Sequence, residues 1–232
     1  MKKVAIITAR GGSKRIPRKN IKDFLGKPII AYSIEAALES ELFDEVMVST
    51  DDEEIASIAS KYGAKIPFLR SKKNADDFAS TVDVIIEVLQ AYEEKGIEYD
   101  YGCCIYPTAP FINETLLNET FDFLIEYNYD TTFPVIKFSF PIQRALKLNN
   151  DYKISPCHPE HVNSRSQDLE FAYHDAGQFY WFNTNSIITK KKLWTENCGG
   201  KIISEMDVHD IDNPEDWEIA EFKYKMINDK KD

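Results

Sequence analysis

The chain predicts an α/β fold, with a mostly parallel sheet and helices on both faces, in a single domain spanning 1–232. Three observations lead there. Short apolar runs and amphipathic stretches alternate through the first two-thirds, the rhythm of strand–helix–strand units. Helix-start residues stand where the amphipathic stretches open. No repeat, low-complexity tract or linker interrupts the chain, and 232 residues suffice for one well-filled core.

Lys3–Thr8 reads as the first strand. Pro28–Leu38 reads as a helix, with Pro28 at its first position and Ile30, Ile34, Ala37 and Leu38 on one stripe. Glu45–Ser49 is a strand. Asp51 or Asp52 then caps a helix carrying Ile55, Ile58, Ala59 and Tyr62, which Gly63 ends. Ala64–Leu69 is expected as a short strand and Arg70–Ala79 as a polar loop. Ser80 or Thr81 caps a helix with Ile85, Leu89 and Tyr92 along one side. Tyr101–Tyr106 is a strand stopped by Pro107 and Pro110, and Glu114–Tyr127 is the next helix. From Thr131 to Phe182 the pattern turns strand-rich and irregular, broken by Pro134, Pro141, Pro156 and Pro159. Asn149-Asn150-Asp151 reads there as a hairpin turn between Arg144–Leu148 and Tyr152–Ile154. A strand (Gly177–Phe182), a short helix (Thr184–Lys191) and an extended stretch (Lys201–Met206) follow. The last helix has the clearest start, with Asn213 as cap, Pro214 first, and Trp217, Ala220, Tyr224 and Ile227 spaced along its face.

Composition narrows the function. Hydrophobic residues make up 43% and charged residues 29%, as in ordinary soluble enzymes. A net charge of −11 argues against a general nucleic-acid or anionic-membrane binder. No apolar stretch approaches the ~20 residues of a membrane span. Met1-Lys2-Lys3 leads into a core strand rather than a signal peptide. Cys103, Cys104, Cys157 and Cys198 lack metal-ligand spacing, and the adjacent pair sits in an apolar strand, so buried thiols and a cytoplasmic location are expected.

Against this acidic background Thr8–Asn20, TARGGSKRIPRKN, stands out. It follows an apolar run and holds Arg10, Lys14, Arg15, Arg18 and Lys19, two adjacent glycines and Ser13. Gly11 and Gly12 would let backbone N–H groups face an oxyanion, Ser13 can donate a hydroxyl, and the cations can neutralise phosphates such as those of a nucleoside triphosphate. The spacing matches neither GxxxxGK[ST] nor GxGxxG. A solvated basic loop is the alternative. In an extended backbone Asp210 and Asp212 share one side while Ile211 points into the core. Two carboxylates beside phosphates suit Mg²⁺ (or Mn²⁺), though acids just before Asn213 could simply assist the helix start. Tyr106-Pro107-Thr108-Ala109-Pro110 holds polar groups at a strand's C-terminal end. Arg165 could clamp a substrate carboxylate, and His174, Asp175 and Gln178 could meet substrate hydroxyls.

Thr8–Lys22, Val48–Asp52, Pro107–Pro110 and Asp210–Trp217, in that order, resemble the CMP-sialic acid synthetase family of cytidylyltransferases over the whole length. The resemblance implies a Rossmann-like nucleotidyltransferase domain, with an inserted β-rich arm at 136–172 that reaches across a homodimer. It implies that Arg10, Ser13 and Lys19 hold the triphosphate, that Gly11 lies along it, and that Asn20 sits near the cytidine and α-phosphate. Arg70 and Ser80 would touch base and ribose, Asp210 and Asp212 would bind the metal, and Arg165 would help hold the sugar acid. Arg10, Lys19 and Asp212 would act in catalysis. Two positions depart from the sialic-acid pattern. Tyr106 stands where those members carry Gln, and His174-Asp175-Ala176-Gly177-Gln178 where they place Arg before a Pro-Asn-Gly turn. With Phe140–Ala145 and Ser164–Gln167, these resemble the pseudaminic acid cytidylyltransferase branch. The implied reaction joins CMP from CTP to a nine-carbon 2-keto sugar acid. Neuraminic and legionaminic acids are the alternative substrates, and a non-catalytic CTP sensor or an NAD-type dehydrogenase are more distant readings.

Overall fold

The computed structural model describes residues 1–76 and 78–229. Its elements are β1 (Lys3–Thr8), β2 (Asp23–Phe24), β3 (Lys27–Pro28), α1 (Ile29–Glu39), β4 (Glu45–Ser49), α2 (Glu53–Lys61), α3 (Thr81–Glu93), β5 (Tyr101–Ile105), α4 (Glu114–Glu126) and β6 (Thr131–Lys137). There follow β7 (Leu146–Leu148), β8 (Ile154–Pro156), β9 (Tyr173–Asp175), β10 (Phe179–Asn183), α5 (Thr184–Lys190), β11 (Cys198–Ile203) and α6 (Pro214–Asn228).

The main sheet runs β11-β6-β10-β5-β1-β4, with β9 beside β6. β1 pairs in parallel with β4 and β5, and β11 with β6, while β10 runs antiparallel to both β5 and β6. The strand period of two divides the apolar run of β1 between two cores. Ala5 and Ile7 pack with Ile30 and Ile34 of α1, Ile55 of α2 and Leu117 of α4. Val4 and Ile6 pack with Ile85 and Leu89 of α3 and Ile187 of α5. Helices therefore cover both faces, as the alternation predicts. Cys103 and Cys104 fall on opposite faces, both fully buried, and burial pushes the Cys104 thiol up to about 12.

Local signals act largely as read. Asp52 caps α2, accepting from the N–H groups of Glu54 and Ile55, and Gly63 adopts φ +95° just after it. Ser80 and Asn213 open α3 and α6 with reciprocal capping boxes to Asp83 and Asp216. Pro28 is the cap of α1 rather than its first residue; its ψ of 135° is extended, so the helix begins one residue later. The expected Ala64–Leu69 strand reduces to a bridge between Lys65 and Met47. Pro67 has no N–H to continue a ladder. The 144–154 hairpin exists with its strands displaced: Asn149 N–H donates to Lys153 O, so the turn is longer than Asn149–Asp151. The extended stretch after α5 starts at Cys198 and gives way after Ile203 to a short 3-10 turn, Glu205–Asp207.

Residues 138–172 leave the body between β6 and β9, and their large apolar side chains are exposed: Phe140 by 82%, Tyr152 by 83% and Ile154 by 64%. Both ends of this arm are joined. Lys137 pairs with Tyr173, and Phe138 N–H donates to Ala172 O at 3.0 Å. Near the chain's end, α6 packs Trp217 and Ala220 against Phe24, Tyr32 and Phe111, with Ile16 and Ile211 in the same cluster. This third cluster holds the basic loop and the acid pair together, because Ile16 belongs to one and Ile211 to the other.

Candidate active site

The C-terminal ends of β1 and β5 open into a cleft of about 610 Å³. Arg10, Ser13, Lys14, Arg15, Lys19 and Asn20 line it from the loop after β1, and Arg70 from the segment after α2. Tyr106 and Thr108 line it after β5, and Asp210 and Asp212 before α6. Residues nearly two hundred positions apart thus meet. Lys19 Nζ donates to Ile211 O at 2.7 Å, and Arg15 donates to Asp212 Oδ1 at 2.6 Å.

Each side chain has a physical reason for its position. Ile211 is fully buried, so the extended backbone turns Asp210 and Asp212 toward the cleft. Burial, with the Asp212 charge next, raises the Asp210 carboxyl above its ordinary range, and Lys19 opposes this. Burial also lowers the Lys19 ammonium, against the pull of Asp212 and Asp210. Asn20 is buried and donates to Arg10 O at 2.9 Å, fixing the loop from within. Arg70 is buried; its guanidinium donates to Ser49 Oγ at 3.0 Å and to Ser49 O at 2.5 Å. Burial lowers its pKa while Asp51 counteracts. Arg10 donates to Asp76 O at 3.1 Å across the cleft mouth.

Not every predicted residue joins this group. Arg18 is tied to Asp52 at 2.5 and 3.0 Å and also to Glu54, so it anchors the start of α2 instead of facing an anion. The Gly11 N–H donates to Asp51 Oδ1 at 2.9 Å, and a Cβ there would stand 2.7 Å from Asp52 Oδ2. Glycine is needed at 11 for close approach of these acids, and its amide points to Asp51 rather than to the cleft. Ser80 donates its hydroxyl to Asp83 at 2.6 Å in the cap of α3; its neighbours Ala79 and Thr81 line the cleft. Arg165 lies out on the arm, 74% exposed at its side chain and paired with Asp168 at 2.8 Å. His174 is exposed in β9, bonded to Asp175 O and close to the Phe138 ring.

The remaining sugar-side candidates form a connected set. Tyr106 meets Tyr180 edge-on, with ring centroids 5.7 Å apart, and burial raises its phenol. The Tyr180 hydroxyl donates to Asp175, whose other oxygen accepts from Gly177 N–H at 2.8 Å. Gly177 has φ +63°, and a Cβ there would lie 3.8 Å from Asp210 Cγ. The turn leading into β10 therefore abuts the acid pair. Gln178 is buried, donating to Asp207 O at 3.0 Å while its Oε1 has no partner among the described residues. Asn74, Asp76 and Thr81 also line the cleft and were not singled out from sequence. A polar loop shows no periodicity that would mark which of its residues face inward.

The acid pair fits a hard divalent cation in part. Both carboxylates line the cleft, Arg15 bonds Asp212, and among the described residues no donor bonds Asp210. Among those residues no group of three or more acids, histidines or cysteines is arranged to hold a metal ion. Such a cation would need substrate phosphate and water to complete its shell.

An α/β sheet whose strand ends gather five cations and three acids around one cleft defines a nucleotidyltransferase class of site. Comparison with known proteins narrows the class. The profile of the cytidylyltransferase family matches residues 4–206, and the chain belongs to that family. It is 44% identical over 226 residues to the pseudaminic acid cytidylyltransferase of Campylobacter jejuni, covering 97% of each chain. It is 32% identical over 229 residues to the CMP-N,N'-diacetyllegionaminic acid synthase of Legionella pneumophila, covering 95% of each. The solved structure of a CMP:2-keto-3-deoxy-manno-octonic acid synthetase complexed with CTP superposes with a TM-score of 0.71 at 18% identity, over 99% of this chain and 100% of that one. At that identity the superposition supports the fold.

Proposed function

We propose that this chain transfers CMP from CTP to the anomeric hydroxyl of a nine-carbon 2-keto sugar acid, pseudaminic acid, releasing pyrophosphate. The observation behind this reading is the convergence of the basic loop and the Asp210/Asp212 pair on one cleft, in a chain closely similar to a pseudaminic acid cytidylyltransferase. Arg10, Ser13 and Lys19 hold the triphosphate, Asn20 braces the loop near the α-phosphate, and Arg70 faces the nucleoside. The hydroxyl attacks the α-phosphorus in line as pyrophosphate leaves. Lys19 gathers the charge that builds on the phosphate oxygens, and positioning supplies most of the acceleration. Asp210 and Asp212 would hold Mg²⁺ (or Mn²⁺), which neutralises phosphate charge when bound. Tyr106 stands on the sugar side of the cleft, joined to Gln178 through its backbone and to Asp175 by way of Tyr180.

Arg165 lies outside its own cleft, so its assigned part in sugar binding calls for the cleft of a second copy. The exposed apolar arm supports a homodimer, and a cytoplasmic location follows from the use of CTP. Among the described residues no helix is long and apolar enough to cross a membrane. The direct test offers α-phosphate-labelled CTP with pseudaminic, N-acetylneuraminic and legionaminic acids in turn. Label is expected in a CMP-sugar with pseudaminic acid, with equal pyrophosphate release. Preferred turnover of another acid would overturn the substrate, and CTP binding without pyrophosphate release would leave a sensor.

A further inference from the structure

Arg15 makes one contact that the transfer reaction leaves unexplained. Its guanidinium bonds Asp212, one of the two acids assigned to the cation, while its loop neighbours face the triphosphate site. The two partners are not held alike. The Asp212 N–H donates to Asp216 Oδ2 at 2.9 Å, within the cap of α6, so the acid's backbone is fixed. The Arg15 side chain is 66% exposed on an irregular loop, and an exposed ion pair of this kind is weak. The positive charge of Arg15 also lowers the nearby Lys19 ammonium. The loop's cations thus repel one another, and an incoming polyphosphate relieves that strain.

We infer that Arg15 is an exchange residue with two alternative partners, Asp212 and the phosphates of CTP. A divalent cation that engages Asp212 releases Arg15 to the nucleotide, and a nucleotide that draws Arg15 away exposes Asp212 to the cation. Cation and nucleotide binding are therefore positively coupled through this side chain, and by linkage the coupling is reciprocal. The inference rests on the proposed nucleotide reading and adds a residue that positions charge during loading.

A double-mutant cycle on CTP binding in EDTA, read by calorimetry, tests it. In the full chain, Asp212→Asn should tighten CTP by about twofold to fivefold, the range of an exposed ion pair, because Arg15 becomes available to phosphate. In the Arg15→Gln background the same change should have a clearly smaller effect. Equal gains in both backgrounds would mean that only a repelling carboxylate was removed, and would overturn the exchange. Absence of any CTP binding by Asp212→Asn in EDTA would overturn it as well. Manganese titration of the nucleotide-free protein, followed by electron paramagnetic resonance, supplies the second arm: Arg15→Gln should bind Mn²⁺ more tightly than wild type, and unchanged or weaker binding refutes the competition. Failure of wild type to bind CTP with Mg²⁺ present would instead remove the nucleotide reading itself. Thermal melts of each variant show that the fold is retained.

Discussion

Substituting Lys19 by alanine separates a catalytic role from a structural one. In the fold, the Lys19 side chain makes one hydrogen bond among the described residues, 2.7 Å to Ile211 O, which joins the loop after β1 to the segment before α6. A bond from a charged donor contributes about 1.5–3 kcal/mol net. Removing it also removes an ammonium whose pKa burial already lowers, so part of that loss is offset. The net destabilisation should stay near or below ~2 kcal/mol, a fall of about 4–8 °C in Tm for a chain of this size. In the reaction proposed for this cleft, the same ammonium is assigned to face charge that grows on the phosphate oxygens. Loss of one preorganised electrostatic contact costs about 10²–10³ in kcat, or ~2.7–4 kcal/mol. Pyrophosphate release at saturating CTP and sugar acid, beside a calorimetric melt, measures both quantities. Turnover within about tenfold of wild type, with a cooperative melt, would refute the role given to Lys19. A collapsed melt would show that the joint between loop and tail dominates.

Asp212→Asn should raise the Mg²⁺ concentration needed for half-maximal rate, and an unchanged metal titration would reject that ligand. The Asp52 carboxyl is held down at about 2, chiefly by the hydrogen bond from Arg18. A folded pKa below the ordinary value stabilises above about pH 4 and loses that contribution as pH falls toward 2. The stability gap between wild type and Arg18→Gln, measured by denaturant titration, should therefore narrow over that window; a constant gap would contradict the pairing. Gly102→Ala would place a Cβ 2.3 Å from Phe182 Cζ in the fully buried β5–β10 contact, so a loss of about 1–3 kcal/mol is expected. Phe182→Leu should recover part of it, and a Gly102→Ala melt equal to wild type would show that the core yields there.

What could be read from sequence was local. The strands β1 and β4 match their expected bounds because a run such as Val4–Ile7 must bury both faces. The start of α6 was legible because Asn213 and Pro214 satisfy their own helix end. The acid pair was legible because a period of two leaves Ile211 only the core to point into. The failures involve distant partners. Nothing near Arg18 signals Asp52 and Glu54, and nothing near Gly11 signals Asp51, so loop groups expected to face phosphate are taken by the first turn of α2. The strand β9, separate from β10, depends on β6, more than thirty residues earlier, which pairs with both. Arg165 is exposed on the arm and does not line the cleft of its own chain.

The ladder between Lys137 and Tyr173 makes residues 138–172 topologically the tip of a very long hairpin. Loop-closure entropy grows only logarithmically with the number of residues enclosed, so the sheet is nearly indifferent to how much chain the tip contains. Relatives could lengthen, shorten or redecorate that segment with little effect on strand register. The segment can thus change without disturbing the cleft at the ends of β1 and β5. Grafting a short turn between the two ladder residues should yield a chain that still folds around the same sheet.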